Sequence, residues 1–173
     1  MIDAELDAPH HVTVGFTGVP GARTFYLQAE DDTQRVTFVL EKGQARGIGE
    51  LLGQLLVRIE EAPVTDWDRT AMGLRVPLEP RWRVGELSVG LDRDEDRFLL
   101  EVAELVLADE AEPAGEPRQA RIWLDRDQAR RLAAHAVEVV EQGRPTCELC
   151  GRPTELDGSH VCPGTNGHGT LTR

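Results

Sequence analysis

The sequence predicts an α+β protein: two copies of an antiparallel βββα unit, about six strands and two helices in all, followed by a small zinc-binding tail. Three observations predict it. Residues 36–48, VTFVLEKGQARGI, recur as ARIWLDRDQARRL at 120–132. Apolar residues in each half alternate with a period of two and then switch to a helical stripe. All three cysteines fall between Cys147 and Cys162, with His160 among them.

The first unit spans about 11–61. Val12, Val14 and Phe16 alternate, as do Phe25, Leu27 and Ala29, then Val36, Phe38 and Leu40, which is the pattern of half-buried strands. Gly18, Pro20 and Gly21 mark the first turn and Asp31-Asp32 the second. From about Gln44 the period lengthens, and Ile48, Leu51, Leu52, Leu55 and Ile59 share a helical face. Segment 62–81, with three prolines, reads as a connector.

The second unit spans about 82–142. TFYLQAE at 24–30 is echoed by RFLLEVAE at 97–104, and Ala129, Leu132, Ala133, Ala136 and Val140 form the second stripe. Asp125 and Gln128 are spaced as a capping pair at its start. The acidic stretch 109–117, with Pro and Gly, reads as a mobile loop before the last strand. Pairing of the two units with pseudo-twofold symmetry is the expected assembly, with both helices burying their stripes on one sheet.

At 173 residues the chain suits one compact body, 1–142, with a tail, 143–173. Hydrophobic residues make up 40% and charged residues 29%, within the globular range. The formal net charge is -12, and Lys42 is the only lysine. Such a balance disfavours nucleic acid, whose backbone is bound largely by Lys and Arg. The absence of a cationic segment leading into an apolar run, and of a membrane-length apolar stretch, gives the expectation of a cytoplasmic protein away from membranes. An odd number of cysteines suits a reducing compartment and metal ligation.

Cys147, Cys150, His160 and Cys162 form a Cys3His set suited to tetrahedral Zn2+, with His168 as reserve ligand. Gly151 resembles the glycine of a zinc knuckle, and residues two apart in an extended strand, such as His160 and Cys162, point to one side. Four protein ligands leave no place for water or substrate, so the expected metal role is structural. The tail has only Leu149, Leu156, Val161 and Leu171 to bury, so metal would supply on the order of 10 kcal/mol of its stability. A redox pair of Cys147 and Cys150 is the weaker alternative.

Other motifs are weaker. Asp92, Asp94 and Asp96 fail the calcium-loop template, with Arg97 at its glycine position and Ala103 at its glutamate position, and read as a hairpin turn. Gly47, Gly49 and Gly53 miss the dinucleotide fingerprint, and close helix packing is the expected use. His10 and His11 open the first strand; His135 lies in a polar helical file and is expected to be exposed. Tyr26 and Trp123 should point away from the strand face carrying Phe25, Leu27, Ile122 and Leu124. No Ser or Cys sits in an evident triad.

TFYLQA, VTFVLEKGQ, RVGELSVGLDRDEDRFLLEVAE and GRPTCELCGRPTELDGSHVCPGTNG together resemble an uncharacterised actinobacterial family, a domain of unknown function. The resemblance spans nearly the whole chain, including Pro163, Asn166 and Gly167 of the tail, and implies no established activity. The resulting expectation is a zinc-stabilised binding or adaptor protein with a protein partner, monomeric or a small homo-oligomer. The alternative is a metal-dependent hydrolase or other enzyme with a site between the units, using carboxylates such as Asp92, Asp94 and Glu101. Nucleic-acid binding through the tail ranks third.

Overall fold

A computed structural model of the chain describes residues 1–107, 116–142 and 149–150. Its first compact unit comprises Met1–Thr17 and Thr24–Val140 and carries the fold. The described part of the second includes Gly18–Arg23, a tight turn in which Gly18 and Gly21 take positive φ and the Ala22 N–H donates to the Val19 carbonyl at 2.9 Å.

The order of elements is β1 (Ile2–Leu6), β2 (His11–Thr17), β3 (Thr24–Glu30), β4 (Arg35–Leu40), α1 (Lys42–Arg58), β5 (Trp82–Asp92), β6 (Arg97–Glu104), β7 (Gln119–Leu124) and α2 (Arg126–Glu141). The fold is α+β, and its two βββα runs are roughly duplicated. Both helices begin with the same device at the same repeat position. The Glu41 N–H donates to Gln44 Oε1 at 2.8 Å, and the Asp125 N–H donates to Gln128 Oε1 at 3.0 Å, Asp125 Oδ1 accepting the Gln128 N–H in return at 2.7 Å. Such boxes satisfy backbone donors that the first helical turn leaves without partners.

The strands form one seven-stranded sheet in the order β1-β7-β6-β5-β4-β3-β2. Each unit is internally an antiparallel meander. The junction is parallel, Phe38 opposite Trp82 and Val39 opposite Arg83, so β4, α1 and β5 make a crossover. This corrects the expected pseudo-twofold pairing: the third strand of one unit meets the first strand of the next, which repeats the unit side by side. The count of six is also corrected, because β1 adds a seventh strand, parallel to β7.

One sheet face carries the core: Val14, Leu27 and Phe38 in the first unit, Leu100 and Ile122 in the second, all fully buried. Ala45, Ile48, Gly49, Leu52 and Leu56 of α1 and Ala129, Leu132, Ala133, His135, Ala136, Val139 and Val140 of α2 are the buried helical residues. The helix stripe of α1 is therefore rotated from the expected one; Leu51 is exposed and Leu56 is buried.

On the other face of the first unit, the connector lies as a strap. Thr13 Oγ1 donates to the Met72 carbonyl. Gln28 receives the Arg75 N–H at 2.8 Å and donates to the Arg75 carbonyl at 3.0 Å and to Thr37 Oγ1 at 3.1 Å. Gly15 admits Leu74, whose Cγ would stand 2.6 Å from a β-carbon at that position. The buried polar row Thr13, Gln28 and Thr37 is thus matched to a strap of backbone, as burial of polar groups requires.

Candidate functional site

Helices α1 and α2, one from each repeat, pack closely at Gly49. A β-carbon there would lie 2.9 Å from the Ala133 carbonyl oxygen and 2.9 Å from Val137 Cγ2. One turn later the walls part. Gly53 has nothing within 4 Å of where its β-carbon would be, and an open groove of about 760 Å³ follows. Its surface is largely apolar, with Gly53, Leu56 and Val57 on one wall, Ala133, Ala134 and Val137 on the other, and Pro63 and Val64 of the connector among its lining residues. Val57 is 72% exposed, an uncovered large apolar side chain beside the groove.

Charges on the groove are mostly matched. Glu61 accepts from Arg126 Nη1 at 2.9 Å and faces Arg130 Nη1 at 3.6 Å, while Arg130 Nε donates to the Ala62 carbonyl at 2.9 Å. Glu50 faces Arg46 at 3.8 Å. Arg58 and Gln54 also line the groove, and neither has an ion pair or hydrogen bond among the described residues.

A second cluster sits at the start of β2. Glu30 Oε2 accepts from Arg35 Nε at 2.8 Å and from Arg75 Nη1 at 3.0 Å, and these guanidiniums hold its carboxyl down at about 2. His11, 5% exposed, is lowered to about 4, chiefly by burial and then by Arg75. It is a neutral buried imidazole at pH 7. His10 lies 3.3 Å from Arg75 Nη1 and 3.5 Å from Asp32. The cluster fastens the strap to the sheet.

His135 corrects the expectation of exposure. It is buried, its Nδ1 has no hydrogen-bond partner among the described residues, and burial lowers its pKa. Trp123 stays half-buried with Arg97 stacked 4.7 Å above its ring, and its Nε1 donates to Glu5 at 3.5 Å.

The carboxylates considered for an enzyme are not brought together. Asp92 Oδ1 accepts the N–H groups of Asp94 and Glu95 at 2.9 and 3.1 Å, closing the β5–β6 hairpin, while Glu101 accepts from Arg121 Nε at 2.9 Å on the sheet. Among the described residues no group of three or more His, Cys, Asp or Glu could hold a metal. Of the tail ligands, Cys147, His160 and Cys162 lie outside the described residues, as does the reserve His168, and Cys150 is half-buried. Many arginines are committed to carboxylates, including Arg69 to Glu138, Arg97 to Asp7 and Arg118 to Glu104. Among the described residues no helix is long and apolar enough to cross a membrane.

The only sequence signal for the groove is the spacing of Gly49 and Gly53, read as helix packing; Gly49 serves that purpose and Gly53 does not. The sequence carries no signal for Arg58, since its lack of a partner among the described residues is a property of the fold.

Fold and site together define a duplicated α+β protein with an apolar groove between the helices of its two repeats. The chain belongs to the family described as "Protein of unknown function (DUF3090)", whose model matches residues 4–162. No curated protein and no solved structure matches it.

Proposed function

We propose that this chain is a non-catalytic binding protein whose body presents the α1–α2 groove to a partner and whose tail is ordered by structural Zn2+ on Cys147, Cys150, His160 and Cys162, with His168 in reserve. The observation that carries the binding reading is the groove itself: a volume of about 760 Å³ with a mainly apolar lining at the boundary of the repeats. Ligand sites are typically concave and mostly apolar with a few polar groups. The zinc reading rests on ligand chemistry and spacing alone. Its role would be to fold the tail, and the body's hydrophobic core supplies stability without it.

A photo-crosslinking residue at Gln54, on the groove wall, tests the binding reading in native extract. Adducts that form with the full chain and vanish when Gly53→Trp fills the groove support it. Equal labelling of the filled and open proteins, or no labelling of either, refutes it.

A further inference from the structure

We infer that the groove takes an amphiphile with an apolar body and a single anionic group, the anion seated at Arg58. The inference deepens the binding reading above and rests on it. The walls are short: Gly49 to Arg58 on α1 is roughly 13 Å, and Arg130 to Val137 on α2 roughly 10 Å, at ~1.5 Å per residue. Walls of that length support about two turns of a docking helix, well short of the roughly 800 Å² per partner of an ordinary protein interface. A volume of about 760 Å³ instead lies within the range of small-ligand sites.

Charge then selects the ligand. Glu50 and Glu61 are matched by Arg46 and by Arg126 and Arg130. Among the described groove residues Arg58 is the one charged group left without a partner. A neutral apolar occupant would cover Val57 and leave the guanidinium without a counter-ion beside a newly dry surface. A carboxylate placed there makes a charge-assisted contact, while Gln54, one turn before Arg58 on the same helix, offers an amide donor. The apolar body then lies over Gly53, Val57, Ala134 and Val137, where a β-carbon at Gly53 would find open space.

The test uses the full-length protein with sodium decanoate and the neutral analogue 1-decanol, both below aggregation, observed by amide chemical-shift titration. Decanoate should bind roughly tenfold more tightly than decanol, and Arg58→Gln should erase that preference by weakening decanoate alone. Gly53→Leu should abolish both, and Arg93→Gln, in the β5–β6 turn, should change neither. Because Arg58 is exposed, the Arg58→Gln comparison survives even if Gly53→Leu misfolds.

Equal binding of acid and alcohol, or a preference that persists in Arg58→Gln, overturns the anion site. Failure of both ligands to bind overturns the amphiphile. If neither binds while Gln54 crosslinks a protein in a groove-dependent way, this inference falls and the binding reading stands; if crosslinking also fails, both fall.

Discussion

Replacing Gly49 by alanine sets two effects of opposite sign against each other. Alanine is favoured over glycine in a helix interior by about 1 kcal/mol, so an unobstructed Gly→Ala change in α1 should stabilise the protein. At Gly49 the new β-carbon would meet the Ala133 carbonyl oxygen and Val137 Cγ2, each at 2.9 Å, and the Val137 backbone nitrogen at 3.2 Å. Two of those atoms belong to the α2 backbone and cannot rotate away. Overpacking of this kind costs about 1–3 kcal/mol. Gly53→Ala, with nothing within 4 Å, supplies the reference on the same helix. The two variants should therefore differ by about 1–3 kcal/mol in urea-unfolding free energy, Gly53→Ala lying above wild type. Equal stabilisation by both would show that the helices do not meet at Gly49, and the geometry of the groove would fall with it.

Three further outcomes are expected. His11 has a pKa of about 4 in the fold against 6.5 ordinarily; the unfolded chain then binds more protons between those values, so stability should fall by up to about 3 kcal/mol as pH drops from 6.5 to 4. His11→Gln should flatten that limb in pH-dependent unfolding, while the contribution of Glu30, fully present above 4.5, is lost only as pH falls through about 2. Gln28→Leu should cost about 1–3 kcal/mol by chemical denaturation, because it leaves the buried Thr37 hydroxyl and the Arg75 backbone groups without their partner. Metal analysis of purified protein should find about one equivalent of zinc, lost in Cys147→Ser while far-UV circular dichroism of the body persists; metal-free protein with an unchanged tail by NMR would refute the proposed site.

Local features were the most legible ones. The alternation at Phe25, Leu27 and Ala29 is a property of neighbouring residues, and so is the pairing of Asp125 with Gln128; both correspond to observed elements. Strand β1 is not legible because Ile2, Ala4 and Leu6 give a short, weak alternation and its partner β7 lies more than a hundred residues away. The burial of His135 is illegible in the sequence for a related reason. Its file on α2 is polar, and only the tertiary packing of the helix buries that position. Leu51 and Leu56 both fit a helical stripe, and the sequence does not say through which of them the helix faces the sheet.

The repeat explains why a groove lies where it does. Counting 84 positions forward, as Leu40 is matched to Leu124, places Gly49 on Ala133 and Gly53 on Val137. Gly49 thus meets the backbone of its own counterpart, Ala133, and both residues are small. That allows the two helix backbones to approach at one level. At the next equivalent position the copies have diverged: Val137 reaches toward Gly49 of α1, whereas Gly53 carries no side chain and has nothing within 4 Å of its β-carbon position. A pair of identical helices with valine at both places would close the gap, and a pair with glycine at both would lose the apolar wall. The asymmetry between copies therefore opens an apolar surface at the boundary of two otherwise similar units. If that divergence creates the binding surface, Gly53→Val, which restores the residue of the second copy, should narrow the groove and weaken decanoate binding, with a stability at least that of wild type because its β-carbon enters open space. Unchanged binding in a folded Gly53→Val protein would show that the ligand does not use the space at Gly53.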